Sequence, residues 1–414
     1  MRDIMNTIKP GEQNRLSADT QERSFRISER YPFIRRLCAM ALLPAVIFSG
    51  CGAAAGEDQS GKTQASGTSD AENADKSSVE TGSTGTGSSE DTALVTTGTG
   101  ADDDPMEWSG MYFDTVISIR LYGDQAAEWM QGCADLCSHM ENTLSAQKET
   151  SELYQVNHRT EQTVTVSDDL AACIEEGLKY SEMSDGAFDI TILPVKDLWD
   201  FEDSSHEGTV PDDKDIQEQL KKVDYTKVHL DGNELSFDSP DTMLDLGGIA
   251  KGYISGKLKD YLTKEGCQSA LINLGGNVRA IGTKPDGTDW TVGIQTPFDD
   301  RGTVLTTVST ADDSVISSGI YERYFKKDGK IYHHILDPRT GYPAETDLNQ
   351  VTVLGEDDAA GDALATIGIV LGQEGMKDFL QKNHLTDTET VLFTDKDNAY
   401  TWYPSAPGGA EDEQ

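Results

Sequence analysis

From Gly52 to about Pro105 the chain is almost all Gly, Ser, Thr, Ala, Asp and Glu, with neither the twofold apolar alternation of a strand nor the 3.6-residue period of a helix. A segment of this composition cannot bury enough apolar surface to offset the entropy of ordering it. It is expected to be a flexible tether, and the foldable chain is confined to about Met106–Tyr403. Charge narrows the functional classes: 34 Lys+Arg stand against 73 Asp+Glu, a formal net charge of −39. So acidic a chain repels a phosphate backbone, and no basic cluster or zinc-finger spacing offsets that repulsion, so nucleic acid is excluded as a partner.

Residues 1–50 carry eight Lys/Arg against five Asp/Glu, and the basic part ends in Arg35 and Arg36. An apolar run, Leu37 to Phe48, follows, then Ser49-Gly50-Cys51. A basic region, a short apolar stretch and small residues before a cleavage point are the parts of an export signal, and the run is too short for a comfortable membrane span. The arrangement resembles a bacterial lipoprotein signal, which makes Cys51 the lipidated N-terminus of the processed chain. An ordinary signal peptide or a short signal anchor is the alternative. The expected organisation is a signal region over 1–50, a lipidated cysteine and tether over 51–105, one domain over 106–404 and an acidic tail over 405–414. Such a chain sits on the extracytoplasmic face of the cell membrane. Cys133, Cys137, Cys173 and Cys267 read as buried thiols, since no Cys or His pair completes a tetrahedral metal set.

Within the domain, Met111–Tyr122 reads as a strand and Asp124 as the cap of a helix to about Leu144. A helix is expected over Asp168–Met183 and a hairpin over Lys227–Phe237, turning at Asp231-Gly232-Asn233. Leu244–Leu246 reads as a short strand before a helix to about Lys264. Further strands are expected at Ala270–Leu274, Thr291–Gln295, Val304–Val308, Lys330–Ile335, Val351–Leu354, Val391–Thr394 and Tyr400–Tyr403, with helices at Asp357–Leu371 and Glu374–Lys382. The absence of strict βαβ alternation argues for α+β with a mixed, largely antiparallel sheet and flanking helices.

Four segments carry chemistry. Asp245-Leu-Gly-Gly-Ile-Ala-Lys-Gly-Tyr253 sets two glycines before a helix with Lys251 in its first turn, an arrangement that favours an anion such as a phosphate; a purely structural Gly-Gly turn is the alternative. Asn273-Leu-Gly-Gly-Asn277 interrupts an apolar strand, as a bulge, a close approach to a ligand or a simple bend would. His333-His-Ile-Leu-Asp-Pro-Arg-Thr-Gly341 places a base, a carboxylate and an anion clamp on one loop, and strand alternation allows only one of His333 and His334 to face a cleft. Asp362 and Thr366 lie one helical turn apart, where a carboxylate and a hydroxyl can take two sites on a hard cation such as Mg²⁺. Ser317–Tyr324 is a further polar turn of no evident role.

These segments, with Phe113-Asp-Thr115, Leu144-Ser145 through Ser151-Glu-Leu153 to Asn157, and Gly186-Ala-Phe-Asp189 with Pro194 and Leu198-Trp199, resemble in order the FAD:protein FMN transferase, or ApbE-like, family over roughly Met106–Tyr403. The resemblance implies a T-fold-like α+β domain that holds FAD in a cleft, cuts its pyrophosphate with Mg²⁺ and passes FMN to a threonine or serine of an exported or membrane-bound flavoprotein, releasing AMP. It further implies that Phe113, Ala187, Phe188, Asp189, Asp245, Lys251 and Ile335 line the FAD site. Gly248 through its carbonyl, Asp362 and Thr366 would hold the metal, with Ala365 adjoining it, and His334, with Asp337 near it, would be the base for the acceptor hydroxyl. Gln147 stands where the family has an aromatic, most often tyrosine, against the flavin nucleotide. That departure brings in a second reading, an FAD pyrophosphatase giving FMN and AMP. A third, of another class, is a solute-binding lipoprotein, which would have no reason to carry Lys251, His334, Asp362 and Thr366 in this order.

Overall fold

The computed structural model describes residues 95–199, 201 and 208–404. The signal region, Cys51, most of the tether and the acidic tail lie outside the described residues. Among the described residues no helix is long and apolar enough to cross a membrane.

In chain order the elements are β1 (Val95–Thr97), β2 (Met106–Tyr112), β3 (Thr115–Leu121), α1 (Ala126–Leu144), α2 (Glu152–Asn157), β4 (Thr163–Thr165), α3 (Asp168–Met183), α4 (Leu193–Lys196), α5 (Asp213–Leu220), β5 (Val228–Asp231) and β6 (Glu234–Phe237). They continue as α6 (Ala250–Lys264), β7 (Ala270–Leu274), β8 (Asn277–Ile281), β9 (Trp290–Gln295), β10 (Val304–Thr310), β11 (Ser314–Gly319), β12 (Tyr324–Lys327), β13 (Lys330–His333), β14 (Leu348–Gly355), α7 (Asp358–Lys382), β15 (Thr390–Asp395) and β16 (Tyr400–Tyr403). Nine strands form one sheet in the order β1-β2-β3-β7-β8-β11-β14-β15-β16. Every pairing in it is antiparallel.

The central strands are buried on both faces, so their alternate residues enter two different cores. Ile272, Val351, Val353, Val391 and Phe393 join the large core beneath the helices. Leu271, Val278, Val315, Leu354 and Leu392 meet Trp290, Val292 and Ile294 of the separate β9–β10 hairpin on the other face. A third apolar cluster, centred on Trp199, ties α4 and α5 to the β12–β13 hairpin through Phe325 and Tyr332, with Tyr342 edge-on to Trp199.

Several boundaries differ from the sequence expectation. The sheet begins at Val95, ahead of Met106, because β1 is an edge strand held by main-chain pairing to β2 and needs no apolar face. Met111–Tyr122 is not one strand. The chain reverses at Phe113-Asp114, both left-handed at φ 52° and 55°, the backbone of a type I′ hairpin turn without its usual Asn-Gly. Helix α1 is preceded by Gln125, not Asp124. Leu244–Leu246 is outside the sheets: the buried Asn157 side chain takes the place of a neighbouring strand, accepting from Leu244 N–H at 2.7 Å and donating to Leu244 C=O at 2.8 Å. Gly275-Gly276, with φ 58° and 102°, is the turn of the β7–β8 hairpin. The 317–324 region contributes the end of β11 and the start of β12. Helix α7 covers both expected helices, interrupted at Gly372, φ 70°.

Candidate active site

Helices α6 and α7 approach so closely at Gly252 that a Cβ there would lie 2.1 Å from the Asp358 carbonyl oxygen and 2.8 Å from Asp362 Cβ. That contact brings the start of α6, with its glycine turn and Lys251, against the second turn of α7, with Asp362 and Thr366. Asp362 is 1% exposed. Its Oδ2 accepts from Gly252 N–H at 2.9 Å, and its Oδ1 lies 3.4 Å from Lys251 Nζ. One amide and one lysine at that distance leave a buried carboxylate under-compensated, which suits a site for a cation. A Cβ on Gly248 would be 2.8 Å from the Phe188 ring and 3.6 Å from Thr366 Oγ1, so three segments distant in sequence meet at this glycine. Among the described residues no three His, Cys, Asp or Glu side chains gather about one point. The donors present are the Asp362 carboxylate and the Thr366 hydroxyl, whose own proton goes to the Asp362 main-chain carbonyl at 3.2 Å. This all-oxygen set fits a Mg²⁺ ion that keeps water and substrate oxygens in its remaining positions. Ala365 is wholly buried and adjoins the pair without offering a side-chain donor.

Asp245 pairs with Lys196 at 2.7 Å and accepts from Gly247 N–H at 3.0 Å. Burial alone would raise its carboxyl, but Lys196, the Gly247 amide and Lys251 outweigh it and hold Asp245 below the usual carboxylate range. Asp189 is a buried anchor, taking Thr191 N–H at 2.8 Å, Thr191 Oγ1–H at 2.6 Å and Tyr225 N–H at 3.1 Å. Burial still raises its pKa. With its oxygens so occupied, Asp189 ties its own turn to the Tyr225 segment.

Glu141 at the end of α1 organises one rim. It accepts from Phe113 N–H at 3.1 Å and pairs with Lys148 at 3.0 Å, holding the left-handed Phe113 turn and the loop bearing the exposed Gln147 on one carboxylate.

The two histidines separate as alternation requires. His333 is buried, with Nε2 3.1 Å from the Ala344 carbonyl oxygen, and burial takes its pKa down to about 4. His334 lies with both its main-chain N–H and its Nδ1 on the Arg323 carbonyl oxygen, at 3.1 and 3.2 Å. A carbonyl only accepts, so Nδ1 carries the proton and Nε2 the lone pair. Burial, then the charge of Arg323, takes the His334 pKa down to about 3, so the ring is neutral at pH 7. Asp337 does not join it. Both Asp337 oxygens bind the Arg339 guanidinium at 2.8 Å, and the Asp337 carbonyl closes the turn by accepting from Thr340 and Gly341 N–H groups. The same turn docks through Trp199 Nε1–H on the Gly341 carbonyl at 3.0 Å. Ile335 is buried between, its carbonyl accepting from Ala344 N–H at 3.0 Å.

Lys196 and Arg323 are the residues that sequence reasoning missed. Each acts through a partner with no local signal: Lys196 meets Asp245 from 49 residues away, and Arg323 presents a main-chain oxygen.

Fold and site together define an α+β protein with a lysine, a buried carboxylate and a hydroxyl gathered at a glycine turn that can accept an anionic ligand. A sequence profile described as the ApbE family matches residues 113–392. The FAD:protein FMN transferase of Klebsiella pneumoniae is 36% identical over 277 residues, 66% of this chain and 85% of the relative. That of Treponema pallidum is 35% identical over 281 residues, 63% of this chain and 77% of the relative. Among solved structures, the flavin transferase ApbE from Vibrio cholerae superimposes with a TM-score of 0.64 at 27% identity, over 73% of this chain and 97% of that one. The ApbE protein from Thermotoga maritima gives 0.66 at 28% identity, over 72% and 96%. The chain belongs to the ApbE family.

Proposed function

We propose that this chain is a flavin transferase that cleaves FAD and attaches FMN through a phosphoester bond to a threonine or serine hydroxyl of a target flavoprotein, releasing AMP. The observation that carries the reading is the meeting of Lys251, the under-compensated Asp362 and Thr366 at the Gly247-Gly248 turn, with neutral His334 within electrostatic reach of Lys251. Phosphoryl transfer asks a protein chiefly for positioning and charge neutralisation. Asp362, Thr366 and the Gly248 carbonyl would hold Mg²⁺, which when bound supplies positive charge to the pyrophosphate oxygens. Lys251 adds a fixed positive charge beside it. The acceptor oxygen attacks the phosphorus on the FMN side, the bond to the AMP phosphate breaks, and the hydroxyl proton passes to His334 Nε2. With a pKa near 3 in the free protein, His334 is a weak base. The negative charge of a bound pyrophosphate raises that value and makes the imidazole a better acceptor as substrate arrives.

Hydrolysis of FAD to FMN and AMP is a second reading. It rests on Gln147, whose exposed amide offers no ring to stack on a flavin. We further propose, from the run Leu37–Phe48 and Cys51, that the enzyme is lipid-anchored on the extracytoplasmic face of the membrane and acts on exported or membrane-bound flavoproteins.

The test incubates the protein with FAD and Mg²⁺, with and without a flavoprotein acceptor, following AMP and protein-bound FMN together. AMP with FMN fixed to the acceptor is the expected result. AMP with only free FMN, acceptor present, selects the hydrolase, and no AMP in either arm rejects both. Asp362→Ala should abolish transfer while the far-ultraviolet dichroism stays native; retained activity in added Mg²⁺ would mean that Asp362 does not hold the metal.

A further inference from the structure

Two carboxylates stand at the glycine turn of the site, and each has its own lysine. Asp362 has Lys251 at 3.4 Å, and Asp245 has Lys196 at 2.7 Å. Against the effect of burial, both lysines keep Asp245 ionised. Two uncompensated negative charges at this turn would repel an anion, so a phosphate can settle there only while both lysines are in place. The backbone of Lys196 is held from both sides. It ends the one-turn helix α4, which starts with Pro194 and buries Leu193 and Val195, and the chain beyond it docks through Trp199 Nε1–H on the Gly341 carbonyl at 3.0 Å.

The two ammonium groups converge on one residue. Lys251 Nζ is 3.5 Å from the Gly247 carbonyl oxygen, and Lys196 Nζ is 3.7 Å from the point where a Gly247 side chain would start. Gly247 is exposed and its φ lies outside the left-handed region, so its backbone conformation does not ask for glycine. What glycine leaves here is an opening. The nearest atoms to the missing Cβ are Asp245 Oδ1, at 3.0 Å, and Lys196 Nζ. A ligand atom resting on Gly247 therefore lies between this carboxylate and this ammonium. The carboxylate is already engaged, Oδ1 by Gly247 N–H and Oδ2 by Lys196. The pair is also lopsided: the Asp245 side chain is 10% exposed and that of Lys196 31%, so the positive member is the one a ligand can reach. An ammonium beside an open, exposed glycine is suited to an anionic oxygen.

We infer that Lys196 binds the substrate directly, as a second cation on a phosphate oxygen of the dinucleotide at the Gly247 opening, as well as holding Asp245. The inference rests on the reading of this turn as the place of the FAD pyrophosphate. Its test measures the Kd of FAD on the full chain by flavin fluorescence, with metal chelated so that binding is read apart from turnover. Lys196→Gln keeps a donor for Asp245 and removes the charge. In an Asp245→Asn background the same change strands no carboxylate, so any remaining loss belongs to the ligand. Lys196→Gln is expected to raise the Kd about tenfold in both backgrounds at low ionic strength, the size of one charge-assisted contact. The difference from the parent should narrow in about 1 M salt, where charges are screened within about 3 Å, and Lys196→Arg should recover most of the affinity. A change below about twofold in the Asp245→Asn background would mean that Lys196 acts only through Asp245 and would overturn the inference. Should Asp245→Asn by itself abolish binding, the salt dependence of Lys196→Gln decides, and a loss equal at both ionic strengths overturns it. A wild type that does not bind FAD would remove the reading of the turn and this inference with it.

Discussion

Replacing Asn157 with alanine tests how the Asp245 loop is built. Asn157 Oδ1 accepts from Leu244 N–H at 2.7 Å and its Nδ2 donates to Leu244 C=O at 2.8 Å, across 87 residues of chain. Both residues are buried, Leu244 completely, so water cannot take over either bond without opening the core. Two buried main-chain groups left unpaired at about 1–3 kcal/mol each predict a loss of about 2–6 kcal/mol. Asp245 would keep its N–H on the Ile190 carbonyl and its pair with Lys196, but the residue before it would lose its anchor. Urea denaturation should therefore show a lower midpoint with unchanged slope, and FAD affinity should fall with it. Asn157→Asp is the sharper control: its oxygen can still accept from Leu244 N–H, but the second oxygen faces the Leu244 carbonyl and cannot donate. A loss below about 1 kcal/mol in the alanine variant, or wild-type stability in the aspartate variant, would refute the account in which a side-chain amide substitutes for a strand.

Three other perturbations follow from the same geometry. Gly252→Ala would set a Cβ 2.1 Å from the Asp358 carbonyl, parting α6 from α7, so both the melting temperature and FAD binding should fall; an unchanged melting temperature would show that the helix contact is slack. Arg279 and Asp358 form an ion pair with each side chain 1% exposed, and Ser255 Oγ–H also donates to Asp358 at 3.1 Å. Arg279→Met should cost about 3–5 kcal/mol in chemical denaturation by stranding the carboxylate, and adding Asp358→Asn should recover part of it. Glu389 is buried, and burial with Asp357 and Asp313 nearby pushes it up to about 7 from an unfolded value of 4.5. The folded state thus holds its proton more tightly, so its contribution is fully present below pH 4.5 and is lost as pH rises through 7, by about 3 kcal/mol. Glu389→Gln should accordingly gain stability over the wild type as pH is raised from 5 to 8, and a difference independent of pH would disprove the shift.

Local patterning made much of the molecule legible. Helix α3 and the β5–β6 hairpin carry their own boundary signals, a Ser167 cap in one and Gly232-Asn233 in the other. The runs of β7 and β15 carry enough consecutive apolar residues to be strands buried on both faces. The glycines at 247, 248, 252, 275 and 276 mark themselves as places where the backbone turns or something comes close. Such features depend on residues within a turn or two of one another, where propensity and periodicity act. The sequence by itself thereby determined the α+β class and where the chain makes its glycine turns.

What each residue in those segments does was decided by contacts distant in sequence. The Phe113-Asp114 turn lacks the usual glycine and is held by Glu141, 28 residues on. Asp337 looks like a partner for His334 but closes on Arg339, while the His334 tautomer is set by the Arg323 carbonyl, an atom that every residue type possesses. Gly252 reads like its glycine neighbours until the Asp358 carbonyl is seen 2.1 Å from where its side chain would start. A main-chain acceptor, a steric limit between two helices and the charge balance of a buried carboxylate are properties of the packed chain. Only the tertiary structure brings their members together, because each interaction becomes strong once water has been excluded from both partners.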